Sequence, residues 1–217
     1  MIETILPAAA HAVEEFGDTR AGPLFPDEEA VVANAVPQRR NEFSAVRRCA
    51  RRALAERGHP PVALLPGPGG APAWPEGIVG SMTHCAGYRA AVIADRAHLS
   101  SIGIDAEPDE PLPRDVLGIV ARPDEIERFR AGIPVPSRNW DRLLFSAKEA
   151  VYKAWYPLTG RWLDFTDVSV TPTSDPRGFT ADVLVPAPGR ARLFRGTWTT
   201  GDGLILTASV PVEPHRR

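Results

Sequence analysis

Both lysines of the chain fall in one nine-residue segment, on either side of a glutamate. The chain has 25 Lys and Arg residues, of which only Lys148 and Lys153 are lysines, and Glu149 stands between them. A lysine amine is a flexible point charge whose pKa shifts readily, whereas arginine stays protonated in a rigid fork. The segment is therefore a candidate for proton transfer or phosphate binding. An ordinary helix surface also explains the spacing, because Glu and Lys four residues apart pair on many exposed helices.

A pair of carboxylates follows an apolar run in the middle of the chain. Asp105 and Glu107 lie two residues apart in a segment expected to be extended, so their side chains share one face. Two carboxylates this close repel each other unless a proton or a cation relieves them. Mg²⁺ prefers oxygen ligands and often takes one or two protein carboxylates plus substrate phosphates. Glu149 could supply a third ligand, with Lys153 on the same helix face near a phosphate or a leaving group. The alternative is an acidic turn that leaves the strand into solvent.

Further candidate phosphate ligands come from a histidine and from an arginine-rich helix. Thr83 and His84 follow an apolar run beside glycines. A histidine there could donate to a phosphate oxygen, although such a residue is often simply part of a turn. Arg39 and Arg47 could bind a phosphate or belong to a solvated face. The sequence has no Walker A motif, no Gly-x-Gly-x-x-Gly, no His-Glu-x-x-His and no nucleophile-elbow serine, which argues against the corresponding enzyme classes.

The elements that must position these residues follow the order helix then strands, twice. Amphipathic helices are predicted over residues 39–57 and 140–155, the second ended by Pro157. Apolar runs between turn residues predict an antiparallel meander in the first half and four strands in the second half. The predicted strands are residues 78–82, 89–94 and 101–104, and then 168–171, 180–185, 192–199 and 204–210. The order of the elements predicts an α+β protein with two lobes.

Composition limits the classes of partner. The 217 residues are 43% hydrophobic and 24% charged, as in globular proteins, and the net charge of −2 creates no global field for nucleic acid or anionic lipid. Cys49 and Cys85 lie far apart without metal-ligand spacing, which favours a reducing compartment. No secretory signal and no apolar stretch of membrane-spanning length occurs. We therefore expect a cytoplasmic protein with no membrane or nucleic-acid partner.

Four motifs are specific only as an ordered set. They are residues 70–72, 80–85, 102–107 and 145–153. In this order they resemble the Sfp-type (type II) 4′-phosphopantetheinyl transferases, above all the actinobacterial branch, over about residues 39–165. The resemblance implies a pseudo-dimer of two similar lobes, each an antiparallel sheet packed with a long helix. The active site would lie in the cleft between an N-terminal lobe of residues 1–107 and a C-terminal lobe of residues 108–217.

The resemblance also implies a reaction and its partners. The 4′-phosphopantetheine arm of coenzyme A would pass to a serine of an apo acyl or peptidyl carrier protein, with release of adenosine 3′,5′-bisphosphate. The carriers would serve polyketide, nonribosomal peptide or fatty acid synthesis. Mg²⁺ would be the cofactor and coenzyme A the co-substrate. Because the smaller class of carrier-protein synthases is about half this length and assembles from several chains, we expect a monomer here.

Residue roles follow from the same resemblance. Asp105, Glu107 and Glu149 would hold Mg²⁺ against the coenzyme A diphosphate, and Glu149 would also deprotonate the serine. Asp105, Glu149 and Lys153 form the expected catalytic set, with Lys153 on the diphosphate. The expected coenzyme A ligands are Arg39, Arg47, Thr83, His84, Lys148 and Lys153. The family often has a lysine before its Gly-x-Pro motif, but residues 66–70 contain no basic side chain. An arginine of the 39–57 helix would then cover that phosphate, or coenzyme A would bind more weakly.

Two other functions use the same residues. One is a different Mg²⁺-dependent phosphoryl or nucleotidyl transferase built on the three carboxylates, which would turn over a nucleotide without any carrier protein. The other is a non-catalytic module that binds coenzyme A, a carrier protein or nucleic acid. The complete set of acidic residues and Lys153 argues against a degenerate module, and the net charge argues against nucleic acid.

Overall fold

A computed structural model of the chain describes residues 1–17, 22–132, 139–186 and 191–212. Within these residues the strands form two antiparallel sheets, each packed with a long helix, so the predicted α+β class is confirmed. The layers follow the order helix, sheet, sheet, helix. One apolar cluster fills the space between the two sheets, and two further clusters lie under the long helices.

The first sheet contains the strands β1, β3 and β2 in that order, all antiparallel. Their bounds are Ala10–Phe16 for β1, Ile78–Cys85 for β2 and Tyr88–Asp95 for β3. A short helix α1 spans Pro26–Val31, and the long helix α2 spans Pro37–Glu56 and packs on β1 and β3. Ala50, Ala53 and Leu54 of α2 belong to the apolar cluster with side chains of β1 and β3, and Phe43 and Val46 are buried at the same helical spacing.

The second sheet has the strand order β4, β8, β7, β6, β5, again all antiparallel. The strands are Gly103–Pro108, Val168–Pro172, Gly178–Val183, Leu193–Gly201 and Leu204–Pro211, numbered β4 to β8 along the chain. Three helices lie between β4 and β5: α3 over Arg114–Val120, α4 over Pro123–Gly132 and α5 over Trp140–Thr159. Helix α5 packs on β4 and β8, so the helix face with Glu149 and Lys153 lies beside the carboxylates of β4.

The predicted meander was wrong at its third strand. Strand β4 pairs with β8 rather than with β3. Its other edge adjoins β2, where side-chain hydroxyls replace the backbone ladder. Ser81 Oγ accepts from Ile104 N at 3.1 Å, and Thr83 Oγ1 accepts from Ala106 N at 3.1 Å. Because β4 belongs to the second sheet by pairing and to the first by these bonds, it joins the two sheets. The division of the chain after residue 107 stays a prediction.

Two other elements differ from the sequence prediction. Strand β1 was not predicted, since Glu14 and Glu15 interrupt its apolar pattern; in the fold, Glu15 pairs with Arg48 of α2. Helix α5 also continues through Pro157, which lies in its last turn, and ends at Gly160 with a left-handed φ of +63°. Because proline has no N–H, the helix lacks the backbone bond that residue 157 would otherwise donate to the carbonyl of residue 153.

Gly103 sets the closeness of α5 to β4. A Cβ atom at this position would overlap the carbonyl oxygen of Ala150 and lie 2.7 Å from the backbone nitrogen of Ala154. We expect Gly103→Ala to lower the free energy of unfolding by about 1–3 kcal/mol through overpacking, and to lower activity by shifting α5. Gly118→Ala is the control, because that exposed glycine of α3 has no atom near its Cβ position. It should stabilise the protein by roughly 0.5–1 kcal/mol. Urea titrations of both variants test this, and an unchanged stability of Gly103→Ala would contradict it.

Candidate active site

Asp105 lies at the centre of the candidate site. Its side chain on β4 is only 4% exposed, and its Oδ1 accepts a hydrogen bond from Lys153 Nζ at 2.6 Å. Thr83 Oγ1 donates to the same oxygen at 3.3 Å. The second oxygen, Oδ2, is buried and has no hydrogen-bond partner among the described residues. A buried carboxylate oxygen without a donor is costly to bury, and a cation is a chemically suitable partner for it.

Glu149 lies on α5 one helical turn before Lys153. It is half-buried, and no hydrogen bond reaches its carboxylate from the described residues. Burial raises the pKa of Glu149; the nearby charge of Lys153 opposes this shift, and that of Asp105 adds to it. A carboxylate with a raised pKa is a stronger proton acceptor near neutral pH. Glu149 is therefore suited to act as a general base.

Glu107 pairs with an arginine of α5, and its predicted contact with Mg²⁺ stays a prediction. Its Oε2 accepts from Arg142 Nη1 at 2.8 Å, and both side chains are mostly buried. Burial and the neighbouring Asp105 raise the pKa of Glu107, while Arg142 opposes the shift. In the part of the chain that the structure describes, no three His, Cys, Asp or Glu side chains are grouped as a metal site. The structure therefore brings Asp105, Glu149 and Lys153 together and holds Glu107 on Arg142.

Lys148 lies inside the protein, and its predicted contact with a phosphate stays a prediction. Lys148 is 2% exposed, and its ammonium donates to Glu125 Oε2 at 2.7 Å and to the carbonyl oxygens of Val120 and Phe165 at 2.8 Å each. An ammonium has three N–H groups, and all three are used. Burial lowers the pKa of Lys148, and Glu125 opposes that shift. The residue joins α5 to α3, to α4 and to the turn that precedes β5, on a different helix face from Glu149.

The hydroxyl of Thr83 bonds to neighbouring groups of β4. It is 3% exposed, and its hydroxyl bonds Asp105 and the backbone of β4. Its hydroxyl lies 3.5 Å from Lys153 Nζ as well. Thr83 therefore orients the carboxylate of Asp105, and its contact with a phosphate through its backbone or hydroxyl stays a prediction.

A cavity of about 850 Å³ adjoins this cluster. Its volume is within the usual range for sites that bind small molecules and cofactors. The cavity reaches from α2 to α5, and residues 66–74 form much of another wall. Five of the predicted site residues line it: Arg39, Arg47, His84, Glu149 and Lys153.

The basic side chains that line the cavity differ in exposure and in how many neighbouring groups hold them. Arg39 is largely exposed, with Glu42 Oε2 at 3.9 Å. Arg47 is buried over the ring of Phe43, and its Nε donates to Leu64 O at 2.8 Å. Burial lowers the pKa of Arg47 to about 10, so it stays protonated at neutral pH. His84 lies 3.4 Å from Glu42, and burial lowers the pKa of its ring despite this carboxylate. The cavity wall is therefore positive where α2 faces it.

Comparison with known proteins gives two family matches. Residues 27–94 match the model of the 4′-phosphopantetheinyl transferase N-terminal domain, and residues 101–201 match that of the 4′-phosphopantetheinyl transferase superfamily. The chain is 51% identical to the 4′-phosphopantetheinyl transferase Svp of Streptomyces mobaraensis, over 99% of this chain and 90% of the relative. It is 46% identical to Npt of Nocardia iowensis (96% and 98%) and 43% identical to PptT of Mycobacterium tuberculosis (97% and 97%). The chain belongs to the 4′-phosphopantetheinyl transferase family.

This result confirms the resemblance predicted from the four motifs. Members of the 4′-phosphopantetheinyl transferase family transfer phosphopantetheine from coenzyme A to carrier proteins, and this chain is an enzyme of that class. The family generally depends on a divalent metal. Among the described residues, no helix has the length and apolar character needed to span a membrane.

Several residues of this transferase site were missed by the sequence prediction. Tyr152 and Tyr156 line the cavity beside Lys153, and Arg96 lines it from the end of β3. Gly69 has a left-handed φ of +64°, and a side chain there would overlap the ring of Tyr156. The two tyrosines had a usable signal, because they lie three and seven residues after Glu149 on one helix face. Arg96 and Gly69 had none, since only the fold brings their loops to α5.

Proposed function

We propose that this enzyme transfers the 4′-phosphopantetheine arm to a serine hydroxyl of an apo acyl or peptidyl carrier protein, with Mg²⁺ as its metal. The bond from the serine oxygen to the β-phosphorus forms, and the diphosphate bond breaks to release adenosine 3′,5′-bisphosphate. The observation that carries the proposal is the buried Asp105, whose Oδ2 has no hydrogen-bond partner among the described residues. It lies beside Lys153 and Glu149, which line the cavity.

The residues present suit a hard divalent cation. Asp105 Oδ2 lacks a donor among the described residues, and Glu149 accepts no hydrogen bond from them, so both carboxylates have oxygens to offer. When bound, Mg²⁺ would supply charge neutralisation at the diphosphate oxygens. Thr83 and Lys153 fix the other oxygen of Asp105, which orients Oδ2 before substrate arrives.

Glu149 would act as the general base, and Lys153 would stabilise the negative charge of the leaving group. Glu149 takes the serine proton, directly or through a water, because its raised pKa makes it a competent base. Lys153 keeps its positive charge at the bond that breaks and stabilises the departing phosphate. Little covalent participation by the protein is needed, since positioning and charge stabilisation carry most of such a reaction.

The nucleotide end of coenzyme A would bind at the α2 side of the cavity. Arg39, Arg47 and His84 line that side, and Arg47 is held by its stacking on Phe43. The two arginines are cations that suit a 3′-phosphate and a diphosphate, with the His84 ring as a further hydrogen-bond donor, and they stand in for the lysine that residues 66–70 lack. We further propose that the enzyme acts as a cytoplasmic monomer on carriers of polyketide, nonribosomal peptide or fatty acid synthesis. The proposal of a monomer is supported by the cavity, because one chain supplies both the α2 wall and the α5 wall.

Intact-mass measurement of a carrier protein tests the proposed function. An apo carrier incubated with the enzyme, coenzyme A and Mg²⁺ should gain the mass of one phosphopantetheine group. Chelation by EDTA should stop the gain, and added Mg²⁺ should restore it. The function is contradicted if carriers that a known transferase loads gain no mass with this enzyme.

Lys153→Arg tests whether lysine is needed for more than its charge. The Lys153 amine reaches a buried carboxylate at 2.6 Å from the cavity wall, a position that a longer, planar guanidinium would not share. We expect kcat to fall by about 100-fold, as measured in steady-state loading assays. Lys153→Met, which has no charge, is the comparison and should lose at least as much. A wild-type kcat for Lys153→Arg would show that charge alone suffices.

A further inference from the structure

We propose that Arg142 is a positioning residue that withholds Glu107 from the cation, so that the enzyme without coenzyme A offers only Asp105 and Glu149 as carboxylate ligands. This inference rests on the proposed function, because it assumes that the cation binds at Asp105. It assigns Glu107 a different role from the one implied by the motif.

The contact itself is a direct ion pair. Arg142 Nη1 donates to Glu107 Oε2 at 2.8 Å, and the two side chains are 17% and 19% exposed. The same guanidinium donates through Nε to Glu110 O at 3.1 Å and through Nη2 to Pro111 O at 3.2 Å. Arg142 therefore holds the carboxylate and the backbone that follows it with one rigid group.

The first turn of α5 reinforces this arrangement. Asn139 Nδ2 donates to Asp109 O at 2.8 Å and to Asp109 Oδ1 at 2.9 Å. Asp141 Oδ2 accepts from Leu112 N at 3.0 Å. These bonds hold the backbone that follows Glu107 against the first turn of α5, so they keep its carboxylate within reach of the charge-assisted bond from Arg142.

Two cations of α5 thus separate two neighbouring carboxylates of β4. Asp105 and Glu107 share a strand face, yet Asp105 bonds Lys153 and Glu107 bonds Arg142. Arg142 precedes Glu149 by two helical turns, about 10 Å along the axis. Glu107 is consequently drawn toward the beginning of α5, and Asp105 toward Lys153 and Glu149.

The separation of the two carboxylates couples the binding of the cation to the binding of coenzyme A. A site with two carboxylates, close to the charges of Lys153 and Arg142, holds a divalent cation weakly. The diphosphate of coenzyme A brings additional oxygen ligands and negative charge. Cation and coenzyme A should therefore strengthen each other's binding by the same factor.

Mn²⁺ is the probe for the test, with free Mn²⁺ measured by electron paramagnetic resonance in the absence of coenzyme A. Removing Arg142 frees Glu107 and deletes a positive charge, so Arg142→Gln should lower the Mn²⁺ Kd on the order of tenfold. In Arg142→Gln with Glu107→Gln this gain should disappear. The matched control is Arg52→Gln, which breaks an exposed Arg–Glu pair with Glu56 on α2 and should leave Kd unchanged.

The alternative outcomes are distinct. An Arg142→Gln protein that folds and binds Mn²⁺ with the wild-type Kd, or more weakly, overturns the inference. If that variant does not fold, Glu107→Gln alone decides. A Mn²⁺ Kd within about threefold of wild type supports withholding, whereas a Kd raised tenfold or more shows that Glu107 is a ligand.

Asp105→Asn distinguishes a failure of the proposed metal site from a failure of the inference about Arg142. Wild-type Mn²⁺ binding in that variant overturns the proposed metal site together with this inference. Weakened binding there, with no effect of Arg142→Gln, overturns only the inference.

Discussion

Glu149→Gln is expected to lower kcat for carrier loading by at least about 100-fold, which is the usual contribution of a general base. Glutamine keeps the size of the side chain but cannot accept the serine proton, and it is a weaker ligand for a cation. The effect should be large because, among the carboxylates that the structure describes, Glu149 alone combines a raised pKa, a place on the cavity wall and a position one turn from Lys153.

Coenzyme A binding should survive this change. The cationic residues on the α2 side of the cavity are untouched, so the Kd for coenzyme A measured by calorimetry without metal should stay within about threefold of wild type, a change of less than 1 kcal/mol. Glu110→Gln is the matched control, because Glu110 is an exposed carboxylate near Glu107 and should show wild-type turnover. Near-normal single-turnover loading by Glu149→Gln would remove Glu149 from the role of base.

Lys148→Met is expected to lower the free energy of unfolding by about 3–5 kcal/mol, the usual cost of removing one partner from a buried ion pair. The methionine has a similar length, so the loss would come from Glu125, which is fully buried and would lose its cationic partner. Two carbonyl oxygens, those of Val120 and Phe165, would also lose their donor. Urea denaturation measures the change.

A double-mutant cycle isolates the ion pair. Glu125→Gln removes the charge while its carbonyl oxygen still accepts from a backbone amide such as Val170 N, which reaches Glu125 Oε1 at 2.7 Å. The variant with both changes should recover part of the stability lost in Lys148→Met. Lys148→Arg should also destabilise the protein, because a larger planar group must fit a fully buried ammonium site. A stable Lys148→Met protein with a strongly raised KM for coenzyme A would contradict the structural role and favour the phosphate contact.

Periodicity was sufficient to predict the long helices and most of the strands. The apolar residues of α2 recur at helical spacing, and the strands after α5 are bounded by turn residues. Strand β1 has no such pattern, because Glu14 faces Tyr88 and the backbone of Ile2 while Glu15 faces Arg48. The pairing of β4 with β8 depends on residues about a hundred positions apart, which no local pattern indicates.

The site was predictable to the extent that its residues share an element. The i, i+4 spacing of Glu149 and Lys153 placed them on one helix face, and alternation placed Asp105 and Glu107 on one strand face. Lys148 is about 100° around the helix from Glu149. Its partner Glu125 comes from α4, and Arg142 reaches Glu107 from a different element, so neither pair could be identified before the fold was known.

A crystal structure of the enzyme with coenzyme A and Mg²⁺ tests the central claim most directly. We expect the diphosphate within hydrogen-bond distance of Lys153, with the cation on Asp105 Oδ2 and Glu149, and the nucleotide end between α2 and residues 66–74. A diphosphate bound outside the cavity, or a cation that does not touch Asp105, would contradict the account.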